Sequence, residues 1–216
     1  MMRELLYKEF RLAIHPAFYV IFLTATLLLI PNWIFTVAMS YLLWVIVPNL
    51  FVAIATNNDT FFSVLMPVKK SDVVKSKIYT VVILELLNII IAIPFAIANF
   101  MLYRGGLGML EPNPAFFGIV LIMYALFNFL FIPGFYKTGY KMALPMTLAI
   151  TGALLFAIFI QFLPFISQRF NTLFNLRTPE SLMWQMGMLF VGILIFILLN
   201  SLTIKLSVER FEKLDL

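Results

Sequence analysis

The sequence predicts an all-α integral membrane protein with six transmembrane helices and both termini in the cytoplasm. Three observations carry that expectation. First, 63% of the 216 residues are hydrophobic and only 12% are charged, with a mean hydropathy of +1.03. Soluble domains carry about 25% charged residues. Second, six apolar runs can each be read as a span: 17–30, 34–56, 78–102, 116–136, 142–165 and 183–204. A helix crossing the hydrocarbon layer needs about 20 residues. Five runs meet that length, and the first is short unless residues 12–16 contribute. Third, a cytoplasmic amino terminus places twelve basic residues inside: Arg3, Lys8, Arg11, Lys69, Lys70, Lys75, Lys77, Lys137, Lys141, Lys205, Arg210 and Lys213. Only Arg104, Arg169 and Arg177 then lie outside, a strong positive-inside bias. Six spans consume most of the chain, so residues 1–216 are read as a single transmembrane domain.

Residues 1–15 predict an amphipathic elbow helix in the cytoplasmic interface. Leu6, Phe10, Ala13 and Ile14 fall on one helical face, and Arg3, Glu4, Tyr7, Lys8 and Arg11 on the other. The chain is expected to turn inward near His15-Pro16, and the first run to be a retained span rather than a cleaved leader. The Pro-Asn-Trp turn ending at Trp33 leads into the second span.

Residues 57–77 form a basic segment between two apolar runs. Asp59 is placed to cap a short helix, residues 60–66 supply under two turns, and Pro67 ends it. Ser71 is read as the cap of the next helix, which continues into the third span. From Ser71 to about Phe100 only Pro94 interrupts the pattern. At about 1.5 Å per residue that rod is roughly 45 Å long, against about 30 Å of hydrocarbon. Its first turns, with Asp72, Lys75 and Lys77, are therefore expected to stand in the cytoplasm. A short cytoplasmic helix joined to a long rod is a docking shape, on which a soluble partner pushes and to which the spans respond.

The remaining loops are short. Residues 103–115, with Gly105, Gly106, Gly108, Pro112 and Pro114, read as an outer loop, and 137–141 as a tight inner turn. The outer loop 166–182 is partly apolar and suited to a short interfacial helix. Thr178-Pro179-Glu180 is a start signal of cap, first-turn proline and first-turn acid for the last helix. Trp33 and Trp184 suit an interfacial belt.

Catalytic chemistry is absent from the sequence. There is no cysteine and one histidine, His15, which excludes disulfides, thiolate sites and multi-histidine metal sites. No GxxxxGK[ST], HExxH or GxSxG motif occurs. The chain is read as a non-enzyme that binds no cofactor; if ATP drives it, another subunit binds the nucleotide. A nucleic-acid role for the lysines is set aside, because no compact basic face or base-stacking module accompanies them. Glu85 is the one ionisable residue within an apolar run, and intramembrane acids are functional candidates by default. The bland reading is a structural pairing with Lys141, Lys137 or Asn88; the sharper one is a proton or substrate site. Asn88, Asn99, Asn128, Gln161 and Asn200 are read mainly as helix-to-helix bonds, with Glu85 and Asn88 as candidate pathway residues.

Three segments, in order, carry a family resemblance. MPVKKSDVVKSKIY at 66–79 resembles a signature of small bacterial ABC transporter permeases of the type-2 exporter class, preceded by a similar acidic, aromatic lead-in at 59–65. KEFRLAIHPAFY at 8–19 is similar to their amino-terminal entry, and IPGFYKTGYKMA at 132–143 to their inner turn. Within that class the chain is similar to permeases that export phenol-soluble modulins, small amphipathic peptides. The resemblance implies a bacterial plasma-membrane exporter of hydrophobic or amphipathic peptides, made of two permease copies or homologues and two ATP-binding subunits that hold ATP and Mg. It implies a coupling helix whose ATPase contacts are Asp59, Thr60, Phe61, Phe62, Val64, Leu65, Pro67, Lys69 and Lys70, with a second inner contact at Lys137 and Lys141. The alternative class is a proton- or ion-coupled secondary transporter using Glu85.

Overall fold

The computed structural model describes residues 2–14, 16–57, 69–103 and 109–213. Among these every element is helical and none is a strand. The helices are α1 (Met2–Lys8), continued by a π turn (Glu9–Ala13), a 3-10 helix (Pro16–Leu29), α2 (Phe35–Asn57), α3 (Lys70–Leu102), α4 (Pro114–Lys137), α5 (Ala143–Ile166), α6 (Gln168–Phe174) and α7 (Pro179–Glu212). Five are long and apolar enough to cross a membrane, and a sixth span exists if the bent pair Met2–Arg11 and Pro16–Leu29 is taken as one. The two parts of that pair meet at 80°. The chain is thus a multi-pass membrane protein.

The short first run reaches across by its winding. An α-helix of 14 residues would span about 21 Å at the usual rise. The same 14 residues, wound as a 3-10 helix, cover about 28 Å at about 2.0 Å per residue. Thr24 and Thr26 hydroxyls donate to the carbonyls three residues back, at 2.7 Å each, so neither is left bare in an apolar stretch.

The later boundaries follow local chemistry. Asn113 Oδ1 accepts from Phe116 N, and Pro114 opens α4. Ser167 accepts from Phe170 N at the start of α6, the short helix expected in the 166–182 loop. Thr178 accepts from Ser181 N at 3.2 Å, with Pro179 opening α7. Ser71 does not cap α3: the helix begins one residue earlier, behind an extended Lys69, and the carbonyl of Lys69 accepts from Asp72 N. α3 then runs 33 residues through Pro94 without a break.

The bundle is built around α4, whose apolar face is almost wholly covered. Its tightest partner is α7, and the contact is backbone on backbone. A Cβ placed on Gly118 would lie 2.5 Å from Met188 O, and one on Gly192 would lie 2.5 Å from Gly118 Cα. Small residues admit this approach where hydrocarbon offers no hydrophobic drive to hold helices together. α5 packs with a similar stripe, in which Ala149, Ala153, Ala157 and Gln161 recur every fourth residue and are fully buried. On α3 the arrangement is the reverse of a soluble helix. Lys77, Glu85, Asn88 and Asn99 are on the buried face, whereas Ile90, Ile97, Phe100 and Met101 face outward. That is the pattern expected where the surroundings are lipid.

Gly192→Leu is therefore expected to force α4 and α7 apart and destabilise the chain by about 3 kcal/mol or more, the upper range for overpacking. A lowered thermal unfolding midpoint of the detergent-purified variant measures it, and Gly187→Leu, at a site with open space around it, is the control.

Candidate functional site

One end of the bundle gathers α1, the start of α3, the turn after α4 and the tail of α7, and with them most of the lysines. The segment that holds Asp59, Thr60, Phe61, Phe62, Val64, Leu65 and Pro67 lies outside the described residues, but both helices that flank it are described. α2 leads into it and α3 leaves it, with Lys69 exposed and Lys70 half-buried.

At the same end sits an aromatic cluster. Phe51 of α2 meets Phe131 and Phe135 of α4 edge-on, with ring centroids 5.0 and 5.1 Å apart. Phe135 touches Tyr136, and Tyr136 touches Phe211 of α7, both at 5.5 Å. Edge-to-face pairs of this kind add about 0.5–1.5 kcal/mol each beyond area burial. The turn that follows is tight: Gly139 and Tyr140 have φ of +62° and +66°. Thr138 Oγ1 closes it by donating to Lys141 O at 2.7 Å. Burial raises the Tyr140 phenol above its ordinary pKa. Lys137 and Lys141 are both exposed on this turn, so the two expected inner-contact residues do share one surface. Phe51 and Phe135 join that turn to the helix that enters the 58–68 segment.

Lys77, expected on the first turns that stand beyond the hydrocarbon, is not open to solvent. Its Nζ donates to Glu9 Oε2 at 2.7 Å, and both side chains are 1% exposed. The elbow helix is rotated to make this pair: Leu5 and Glu9 are buried, while Leu6 and Phe10 are only half-buried. Apolar periodicity alone could not find it, because it depends on a partner 68 residues away. The signal was the register of α3. Lys77 lies on the same stripe as Val74, Val81 and Glu85, whereas Lys75 does not, and Lys70, which shares the stripe, sits at the very start of the helix and is half-buried. The pair fixes the π turn that continues α1 to the rod, near the start of α3.

Eight residues further along α3, about 12 Å by helical rise, lies Glu85, fully buried. The expected pairing with Lys137, Lys141 or Asn88 is not made. Glu85 Oε2 accepts from Asn128 Nδ2 of α4 at 3.1 Å. Lys137 is nine residues beyond Asn128, about 13 Å along α4, and points to solvent at the helix end. Asn128 Nδ2 also donates to Asn200 Oδ1 of α7 at 3.1 Å, and Asn200 Nδ2 donates to Phe196 O. One turn from Glu85, Asn88 Nδ2 donates to the Tyr124 hydroxyl at 2.7 Å, which donates to Met39 O of α2 at 3.0 Å. Glu85 and Asn88 thus bind the rod to α4, α7 and α2 through one polar seam.

The opposite end is closed by amides. Gln161 Oε1 accepts from Thr36 N and Oγ1, and its Nε2 donates to Leu110 O. Asn99 Nδ2 donates to Leu28 O at 2.7 Å, tying α3 to the 3-10 helix. Arg177 donates to Phe100 O and Tyr103 O and lies 3.4 Å from Glu111 Oε2. No group of three or more metal-ligating side chains occurs among the described residues.

A family model of ABC-2 family transporter proteins matches residues 4–211, nearly the whole chain, and the chain belongs to that family. No curated protein and no solved structure matches it. Membership makes it the membrane permease of an ABC transporter: it is not itself catalytic, and ATP is hydrolysed in a separate ATP-binding subunit.

Breaking the Glu9–Lys77 pair from one side is expected to cost about 3–5 kcal/mol, because a buried charge is left without its partner. Lys77→Met and Glu9→Gln should each lower thermal stability, and the double variant should recover most of the loss. A double-mutant cycle on unfolding midpoints checks this, and additive effects would contradict the pairing.

Proposed function

We propose that the chain is the permease of an exporter in a bacterial cytoplasmic membrane and that its cargo is a hydrophobic or amphipathic peptide. Two copies, or one copy and a homologue, pair with two ATP-binding subunits, which hold ATP and Mg. Both termini and the basic end face the cytoplasm, as the distribution of Lys and Arg along the sequence supports. The ATPase seats the coupling segment through Asp59, Thr60, Phe61, Phe62, Val64, Leu65, Pro67, Lys69 and Lys70.

The observation that carries this reading is the placement of α3. An unbroken 33-residue helix begins at Lys70, where the coupling segment ends. Displacement of the segment is transmitted along a rigid rod, through the Glu9–Lys77 pair to the elbow and through Glu85 and Asn88 to α4, α7 and α2. Lys137 and Lys141 supply a second contact with the same subunit. Their turn rests through Phe135 on Phe51 of α2, which feeds the coupling segment. The peptide cargo is supported by the likeness to modulin-exporting permeases and by the apolar outward faces of α5 and α7.

Truncating Phe61, Phe62 or Leu65 to Ala is expected to weaken retention of the ATP-binding subunit by roughly tenfold or more, the effect of losing a buried aromatic or aliphatic anchor. Monodispersity of the permease alone should not change. Co-purification from membranes measures both, and full retention in all three variants would overturn the docking assignment.

A further inference from the structure

The Glu85 seam leaves several oxygen acceptors unpaired. Three of its buried oxygens have no hydrogen-bond partner: Glu85 Oε1, Asn88 Oδ1 and Asn128 Oδ1. The amide nitrogens of Asn88, Asn128 and Asn200 are all engaged. Every unpaired atom of the cluster is therefore an acceptor, and one belongs to a carboxyl group. Among the described residues no cation lies within ion-pair distance of Glu85. Lys77 is held by Glu9, two turns nearer the basic end, and Lys205 of α7 is exposed. The one titratable group facing the seam is Tyr124 of α4, whose hydroxyl donates to Met39 O. A bare carboxylate in this position is costly to bury, and among the described residues only the Asn128 amide donates to it.

We propose that Glu85 is a proton-binding site and stands in this conformation as the neutral carboxylic acid, with the proton on Oε1 supplying a donor to a cluster whose unpaired atoms are all acceptors. One proton does two things that a water molecule cannot do together. It removes the uncompensated charge, and it turns an orphaned acceptor into the missing donor. It also needs no room, which suits a side chain that is 0% exposed and packed on all sides. The seam is then a neutral three-helix clasp of Glu85, Asn128 and Asn200 that holds the rod to the α4–α7 pair. The assignment depends neither on the cargo nor on the ATP-binding subunit.

Infrared spectroscopy of the full chain in lipid nanodiscs at neutral pH tests it. The wild type should show the carbonyl stretch of a protonated carboxylic acid, shifted by deuterium exchange and by ¹³C-glutamate labelling. The band should be lost in Glu85→Gln, which keeps the shape and a donor. Should that variant fail to fold, Glu85→Asp, which keeps the acid but moves it, should shift the band instead. A wild-type spectrum without the band, or a band that persists unchanged in Glu85→Gln, overturns the proposal. So does an ionised carboxylate signal assigned to Glu85, whose response to exchanging sodium for potassium would show a metal ion there instead.

Discussion

Helices in hydrocarbon gain nothing from turning their apolar faces toward one another, because lipid is as apolar as leucine. What holds this bundle is close approach of main chains, and the tightest instance is the crossing of α4 and α7 at Gly118 and Gly192. The other helices are arranged around that pair. α5 meets α4 where Pro145 packs on Gly134 and Leu130 on Gly152, and α2 meets α4 through Phe51 and through the Tyr124 hydroxyl. A backbone contact of this kind has no slack, so α4 and α7 move as one body if they move at all.

α3 is attached differently. Besides the apolar residues it buries, such as Val74, Ile78, Val81, Leu84 and Ala92, it carries directional links: an ion pair near the basic end, the Glu85–Asn88 seam in the interior and Asn99 toward the far end. Directional bonds can be broken and remade at discrete positions, whereas interlocked glycines cannot. The contrast divides the molecule into a fixed pair and a long helix clipped to it, with the clips spaced along one stripe. It also explains why the polar residues of α3 face inward: each would be costly against lipid, and each finds a partner only on the bundle side.

Much of the fold was legible in the chain. Proline and cap residues mark the starts of α4 and α7, the apolar runs are long, and the Gly139 turn is short, so local chemistry sets those boundaries. The start of α3 was less legible, since the helix begins behind an extended Lys69 and not at a Ser71 cap. What was not legible depends on tertiary partners. The elbow helix could not be phased from its own residues, because Glu9 is drawn inward by Lys77, an apparent surface lysine. Glu85 was recognisable as unusual, yet its partner is an asparagine on α4 rather than a lysine, a choice made by depth along two helices. The aromatic cluster around Phe135 was hidden among 24 phenylalanines, since composition does not say which rings meet.

The 3-10 winding of Pro16–Leu29 has a mechanical corollary. Relaxing the same residues to α geometry would shorten the strut by about 7 Å, with no change in sequence and little in side-chain chemistry. An extensible strut between the elbow and the first hairpin makes this corner sensitive to the thickness of the surrounding bilayer. A thin membrane would favour the contracted coil and a thick one the drawn-out form. Lipid chain length would then act as a dial on the elbow's stance.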